Sequence, residues 1–315
     1  MLRLFGQRAL QGLIVLLLVS AIVFLLVNVA PGGPGALMRM DATAEQREAL
    51  ARRLGLDQPL PVRYAVWLAG AVRGDLGTSL SSNEPVAFRI GQRLPNTLLL
   101  AGVAMSVSVV LGIPMGVLAA LRRDSPADLL LTLLSVLGVS IPAFWLGIML
   151  ILTFSVGLHW LPSSGIATSG REGDAGDRLL HLLMPAVVLS TTVLPYIVRF
   201  TRSSLLEVLH QDYVRTARAK GLGGLRVVYE HALRNALVPV VSVTGSLVPR
   251  LVGGAVVTEA VFGWPGMGRL AVEAANGRDY PLVVGITVVV AALVVLTSLV
   301  VDLAYTWLDP RIRLG

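Results

Sequence analysis

Six long apolar stretches limit how this chain can fold. The first, Leu10–Ala30, contains no charged residue; as an α-helix it measures about 31 Å, enough to cross a hydrocarbon core of about 30 Å. The other five are Thr97–Leu121, Leu129–Val156, His181–Phe200, Ala236–Val257 and Pro281–Leu303. Only 14% of the residues are charged and the mean hydropathy is +0.75, which leaves too little polar surface for a water-soluble body. The sequence therefore predicts an all-α polytopic membrane protein with six transmembrane helices.

The first stretch has a second interpretation, as a secretory signal. Arg3 and Arg8 precede it and a Pro-Gly-Gly-Pro turn follows it at 31–34, as in many signal peptides. The apolar region of a signal is usually shorter, and here five more spans follow. We therefore expect a retained helix and divide the chain into 1–30, 31–96 and 97–315.

The basic residues of the short polar segments predict the orientation in the membrane. If the N-terminus is cytoplasmic, the cytoplasmic segments 1–9, 122–128, 201–235 and 304–315 hold twelve lysines and arginines, and the short outer segments 157–180 and 258–280 hold four. Cytoplasmic loops carry the excess of positive charge. Both termini are predicted to be cytoplasmic, and the net charge of +7 is attributed to these loops rather than to nucleic-acid binding.

Segment 31–96 is then external, and its pattern predicts helices. Thr43 and Gln46 have the spacing of a capping box before a helix that Gly55 could close. A second helix near 61–72 places Tyr64 and Trp67 on one face, together with Leu68. Such a face packs on the membrane helices or lies at their interface with water.

This chain lacks the residues that several classes of function require. The chain has no cysteine and only four scattered histidines, so thiol chemistry is excluded and a metal centre is not indicated. The centres of the spans hold no Asp or Glu, since Glu259 and Asp302 lie near span ends; ion coupling is therefore poorly supported. The one lysine, Lys220, is not part of a phosphate-binding P-loop, and no catalytic motif is visible. We expect a non-enzymatic chain whose energy, if needed, comes from another subunit.

Prolines inside the predicted spans favour a transporter slightly, because kinked helices can enclose a cavity. The alternative is that prolines are simply common in membrane helices. They are Pro114, Pro142, Pro185, Pro195, Pro239 and Pro249.

The loop 201–235 is the most informative polar segment. Asp212 can cap a short helix that runs to Lys220 and ends at Gly221. One face of this helix carries residues at helical spacing that suit a groove of another protein, namely Tyr213, Thr216, Ala217 and Lys220. The alternative is a solvated helix whose basic residues face lipid headgroups.

The sequence of this loop resembles a known motif. Asp-Tyr-Val-Arg-Thr-Ala-Arg-Ala-Lys-Gly at 212–221, followed by His-Ala-Leu-Arg-Asn-Ala-Leu-Val-Pro at 231–239, resembles the "EAA" coupling loop of ABC importer permeases, in the version of the oligopeptide/dipeptide/nickel family. Arg215-Thr-Ala217 takes the E-A-A places, and the closing proline is displaced to Pro239. Further family-like motifs follow the same order along the chain, at Gly74–Ser79, Arg93–Leu98, Gly253–Leu270, Arg278–Pro281 and Asp309–Arg313.

This resemblance implies a type I ABC importer permease fold in a bacterial inner membrane. It implies a second permease, two cytosolic ATPases that hold ATP and Mg, and an external substrate-binding protein, with no cofactor bound by this chain. Di- or oligopeptides are the expected cargo; nickel or glutathione import is an alternative within the family, and an ATPase-independent channel or scaffold is an alternative outside it. The implied coupling residues are Asp212, Tyr213, Arg215, Thr216, Ala217, Arg218, Ala219, Lys220, Gly221, His231, Arg234 and Asn235.

Two further sites are predicted, each with an alternative. Arg250 lies about 21 Å into the fifth span, where it could line a cavity and attract a peptide carboxylate, or else snorkel outward or pair with Glu259. The binding protein could dock on segment 31–96 and on the turn at Phe262, Trp264, Pro265 and Gly266. The alternative is that this turn anchors the chain at the membrane interface.

Overall fold

The computed structural model describes residues 2–29, 45 and 58–308, and every regular element in that part of the chain is helical. The α-helices, numbered in chain order, are α1 (Leu2–Val29), α2 (Leu60–Val72), α3 (Val86–Leu121), α4 (Pro126–Ser140), α5 (Ala143–Leu150), α6 (Ala175–Ser190), α7 (Leu194–Leu209), α8 (Asp212–Ala219), α9 (Gly224–Arg226), α10 (Leu233–Ser246), α11 (Val248–Val261), α12 (Met267–Asn276) and α13 (Tyr280–Leu308). Two π-helices follow α5 and α9, at Ile151–Gly157 and Val227–Ala232. The predicted helix between Thr43 and Gly55 and the motif at 309–313 lie outside the described residues.

The six predicted spans correspond to three continuous helices and three bent pairs, so the described residues hold three spanning helices, or six if each bent pair is one span. Gly6–Val29, Val86–Leu121 and Tyr280–Asp302 are long and apolar enough to cross a membrane. Each bent pair has its own angle. The bend is 100° between α4 and α5 with its π-helix, 55° between α6 and α7, and 47° between residues 227–246 and α11. All-helical spans are expected because every backbone polar group in lipid needs an internal partner.

Prolines mark all three breaks. Pro142, Pro195 and Pro249 each lie at or next to the first residue of the second helix of a pair, where the missing proline N–H costs no helical hydrogen bond. The other three prolines lie within helices. Half of the predicted kink positions therefore produce a sharp bend.

The chain divides into two compact units, and the first contains Met1–Asn96 and Gly266–Leu296. In this unit α2 packs on α1 through aromatic side chains: the rings of Tyr64 and Trp67 lie 5.6 and 5.9 Å from that of Phe24. The hydroxyls of Tyr64 and Ser20 are 2.9 Å apart. The predicted aromatic face of the 61–72 helix is confirmed as a packing face.

Two of the family-like motifs meet within this first unit. The carboxylate of Asp279 accepts hydrogen bonds from the hydroxyls of Ser79 and Ser81 and from the N–H groups of Leu80 and Ser81. Asp279 is 1% exposed. Burial raises its pKa, but the four hydrogen bonds outweigh burial and hold the pKa below its usual value. Asp279 therefore joins the Gly74–Ser79 turn to the start of α13.

The second unit contains Thr97–Pro265 and Thr297–Gly315. Its helices approach closely at small residues: a Cβ on Gly116 of α3 would lie 2.6 Å from the Cβ of Thr201 on α7, and Gly112 meets Ile197 in the same way. Small residues at i and i+4 allow such contact between membrane helices. α7 also packs along α10, and the hydroxyl of Ser204 donates to the carbonyl of Ala236 at 2.9 Å.

Candidate functional site

The short helix predicted in the loop is α8, and its first turn differs from the prediction. Gln211 is the N-cap and makes no side-chain cap hydrogen bond; the prediction that Asp212 caps the helix is therefore wrong. Asp212 lies in the first turn, where its carboxylate suits the helix dipole and lies 3.6 Å from the guanidinium of Arg215.

The C-terminal end of α8 is confirmed at Gly221. This glycine has φ +80°, its N–H donates to the carbonyl of Arg218, and the N–H of Leu222 donates to the carbonyl of Ala217. These two bonds form a Schellman motif, which needs a left-handed residue at this place. The chain therefore turns sharply after Lys220.

The inner face of α8 is built from Val214 and Ala217, which are 0% and 5% exposed. They form one apolar cluster with Leu205, Val227 and Ala236. The predicted outward face is wrong for Ala217, because that side chain packs inside the chain. The outer face consists of the other residues of this segment that were predicted to couple: Asp212, Tyr213, Arg215, Thr216, Arg218, Ala219, Lys220 and Gly221.

The structure brings the two halves of the loop motif together. The side-chain amide of Asn235 donates to the hydroxyl of Tyr213 at 2.8 Å and to the carbonyl of His231 at 3.3 Å. His231 is half-buried, and Arg234 is exposed. The exposed residues of 212–221 and 231–235 are thus joined into one surface, which we call the coupling surface after the role predicted for it.

The charge on the coupling surface is mostly positive. Among its exposed cations, Arg215 faces Asp212, whereas Arg218, Lys220 and Arg234 have no ion pair among the described residues. Opposite charges across an interface speed encounter and fix orientation. The arrangement suits a partner with an acidic groove.

Arg250 is exposed near the start of α11. Its guanidinium lies over the ring of Tyr196 on α7, 4.6 Å from the centroid, within cation–π range. No ion pair between Arg250 and another described residue is present; the carboxylate of Glu259 is fully buried and accepts from the hydroxyl of Thr97 at 2.6 Å.

Tyr196 also lines an open groove of about 1090 Å³ between α4 and α7. At one end of the groove, Nε and Nη2 of Arg202 donate to the two carboxylate oxygens of Asp128 at 2.7 and 2.6 Å. Sequence reasoning missed this groove. The one available signal was Arg199, a charged residue inside the predicted span 181–200 that also lines the groove.

The turn predicted to dock a binding protein is interior. Phe262 and Trp264 are 2% and 1% exposed; Phe262 packs with Met184 and Val188, and Trp264 belongs to the cluster around Leu189. Gly266 is buried and Pro265 half-buried. The docking role is therefore wrong for Phe262, Trp264 and the buried Gly266, as is the alternative of aromatic anchors, because neither ring reaches a surface; for the half-buried Pro265 it stays a prediction.

Comparisons with known proteins agree with this architecture. A family model described as "Binding-protein-dependent transport system inner membrane component" matches residues 112–314, and its companion for the N-terminal part matches residues 1–101. An oligopeptide transport system permease protein, AppB, from Bacillus subtilis is 44% identical over 310 residues, 98% of each chain. A putative peptide permease protein of Brucella ovis is 44% identical over 317 residues, 99% of each chain.

Two solved structures share the fold. The inward-facing MetNI methionine ABC transporter matches with a TM-score of 0.58 and 22% identity, over 70% of this chain and 97% of that chain. An amino acid ABC transporter matches with a TM-score of 0.51 and 14% identity, over 70% of this chain and 94% of that chain. At these identities the likeness concerns the fold alone.

Fold and comparisons together define the class of protein, a non-catalytic membrane permease subunit with a type I ABC importer fold. The chain belongs to the family of binding-protein-dependent transport system inner membrane components.

Proposed function

We propose that the chain is one of two permease subunits of an ATP-driven importer of di- or oligopeptides. The observation that carries this proposal is the coupling surface, a short helix with two side chains anchored in the membrane domain and a polar outer face. The cargo class is supported by the names of the relatives, an oligopeptide permease and a peptide permease.

The packing of α8 suggests how an ATPase could act on the spans. Val214 and Ala217 share one apolar cluster with Leu205 of α7 and Ala236 of α10, so a push on α8 is transmitted to two span helices rather than absorbed by a loop. In the proposed cycle, closure of an ATPase dimer moves the coupling surface, and a two-state rigid-body change switches the cargo cavity from inward- to outward-facing. ATP and Mg are held by the ATPases, and this chain binds no cofactor.

The proposed orientation follows from the charges of the loops. The coupling surface and both termini face the cytoplasm of a bacterial cell whose inner membrane holds the chain. The external binding protein then docks on the opposite side, where segment 31–96 is the proposed surface because the 262–266 turn is interior.

The experiment that tests the assembly is a pull-down of the tagged chain from its native membrane in gentle detergent, followed by mass spectrometry. Recovery of a second permease together with P-loop ATPases is expected. Recovery of the chain alone or as a homomer, even after cross-linking, would refute the importer and support the channel or scaffold.

The cargo is tested with the recovered complex in proteoliposomes that contain ATP, with the binding protein outside. Uptake of labelled di- to pentapeptides is compared with uptake of nickel and of glutathione. ATP-dependent peptide uptake is expected; uptake of only nickel or glutathione would replace the proposed cargo and leave the importer intact.

A further inference from the structure

Helix α4 has two unlike faces, although it belongs to a membrane-spanning pair. One face carries exposed leucines, including Leu130, Leu133 and Leu134, which are 57%, 50% and 52% exposed. The other face lines the groove, where the hydroxyl groups of Thr132 and Ser140 lie among apolar side chains such as that of Val136. Leucines suit the hydrocarbon of a bilayer, whereas a hydroxyl-bearing concavity favours water or a polar occupant.

Four charged side chains line the groove, the two carboxylates of Asp124 and Asp128 and the two guanidinium groups of Arg199 and Arg202. Asp128 is matched by the bidentate contact with Arg202, and Asp124 lies 3.2 Å from the guanidinium of Arg123. The remaining lining charge is Arg199, which is exposed and makes no hydrogen bond or ion pair with any described residue. Arg199 is therefore the one charged group of the lining that has no direct partner among the described residues, and its guanidinium is left to water or to an anion.

A second cation lies beside the groove. Tyr196 lines the groove one turn from Arg199, and the guanidinium of Arg250 rests on its ring. Tyr196, Arg199 and Arg202 follow one another on α7 in steps of about one helical turn; Arg250 of α11 lies over the first of them, and Arg202 is paired with Asp128. The positive charge extends away from the Asp128 end of the groove.

We propose that the groove between α4 and α7 is this chain's wall of an aqueous cargo pathway, and that Arg199 binds a carboxylate of the cargo there. The proposal rests on the proposed function, since it takes the cargo to be a peptide with a free C-terminal carboxylate. A guanidinium with all its donors available matches a carboxylate in shape and charge. The anionic phosphate of a lipid offers similar chemistry, and the experiments below separate the two.

The first experiment tests whether water fills the groove. The chain has no cysteine, so a single introduced thiol reports on one position. Thr132→Cys, in the groove, is compared with Leu134→Cys on the leucine face of the same helix, in the assembled transporter in inside-out vesicles without ATP. A charged thiol reagent is expected to modify Thr132→Cys at least about tenfold faster, because it needs water to reach and ionise the thiol. Equal, slow modification would mean that lipid or protein covers the groove and would overturn the proposal.

The second experiment tests Arg199 itself. Uptake of a labelled tripeptide with a free C-terminus and of its C-terminal amide is measured for the wild type, Arg199→Gln, Arg199→Lys and the control Arg178→Gln. Arg178 is an exposed arginine of α6 outside the groove. Arg199→Gln is expected to lower uptake of the free acid about tenfold, as the loss of one charge-assisted hydrogen bond implies, and to change uptake of the amide less than about twofold.

The controls fix the interpretation. Each variant is compared with the wild type on the same cargo, so a preference of the binding protein cancels. Arg199→Lys should retain most of the uptake of the free acid, and Arg178→Gln should match the wild type for both cargoes. An equal loss for acid and amide in Arg199→Gln, or no loss for either, would overturn the role of Arg199. Absence of all peptide uptake by the wild type would instead refute the proposed function.

A third measurement does not depend on the assembly of Arg199→Gln. In the Thr132→Cys transporter, the free acid should protect the thiol from modification more than the amide does. Equal protection by both, or none by either, would count against a carboxylate at Arg199. The thiol could instead be protected without any peptide, and lose that protection when the anionic vesicle lipids are replaced by neutral ones. This result would show that a lipid phosphate occupies the groove and would overturn the proposal.

Discussion

The coupling surface and the 262–266 turn both carry aromatic residues close to a helix end, yet the structure places their rings in opposite ways. Tyr213 is 43% exposed on a helix that is held by two small side chains beneath it. Trp264 is 1% exposed and fills the centre of the second unit. An aromatic ring near a helix end is thus either exposed at the surface or packed in the interior, and the neighbouring helices decide which.

Asp279 extends the comparison to a charged residue. It lies in an irregular segment, whereas Tyr213 lies in a helix, and its carboxylate is buried and accepts four hydrogen bonds from residues 79–81. Buried polar groups are retained when every partner is present. Motif residues in this chain therefore divide into those that hold the fold together and those that present a surface.

The largest effect is expected at Trp264. Trp264→Ala should lower the stability of the folded chain by about 3–5 kcal/mol, because a large cavity replaces the ring. Trp160→Ala is the matched control, since Trp160 is 66% exposed and should change stability by less than about 1 kcal/mol. Thermal unfolding in detergent measures both. If Trp264→Ala is stable and loses only affinity for the binding protein, the interior assignment fails.

The next effect is expected at Asp279. Asp279→Asn should cost about 1–3 kcal/mol, because the amide turns a donor towards groups that themselves donate. The lowered pKa of Asp279 also gives a pH dependence: its stabilising contribution is complete above the unfolded pKa of about 3.9 and is lost as the pH falls through the lower folded pKa.

Chemical unfolding at pH 7 and at decreasing pH measures both effects of Asp279. Wild type and Asp279→Asn should approach each other in stability in acid. A difference between them that stays constant down to the acid limit would contradict the role of the ionised carboxylate.

A smaller effect is expected at Gly221. Gly221→Ala should strain the end of α8 by roughly 1–2 kcal/mol, because a Cβ disfavours a positive φ even though the site has open space. Gly223→Ala is the control, with equally open space and φ −61°. We expect Gly221→Ala to insert normally and to lower transport-coupled ATP hydrolysis severalfold, measured in proteoliposomes. If the two variants hydrolyse ATP at equal rates, the Schellman turn at Gly221 is not required for coupling.

The smallest effect is expected from one hydroxyl. Tyr213→Phe removes the acceptor of the Asn235 amide and should cost about 0.5–1 kcal/mol at this exposed site, seen as a modest fall in coupled ATP hydrolysis. Tyr229→Phe is the control, because Tyr229 is 59% exposed and makes no hydrogen bond to any described residue. A double-mutant cycle with Asn235→Ala then isolates the pair; additive effects would show that the contact is not used in coupling.

Patterns of hydrophobicity and of turn chemistry predicted much of this molecule. The six spans, the end of α8 at Gly221 and the aromatic face on α2 follow from period, length and glycine conformation, which are local properties. The direction of Ala217 did not follow, because Tyr213, Thr216 and Ala217 are acceptable neighbours on an isolated helix. Only the apolar surface formed by other helices selects Val214 and Ala217 as the inner face.

The amino-acid sequence alone determined that the chain has six apolar stretches suited to a membrane, prolines within them and one short polar helix, since lipid forces backbone hydrogen bonds into helices; which three prolines bend a span was decided by the structure. Only the tertiary structure decided which motif residues are interior, joined Asp279 to Ser79 and Tyr213 to Asn235, and opened a groove beside Arg199. These contacts link residues that are far apart in the sequence. Their partners are set by which helices pack together, and no local pattern encodes that choice.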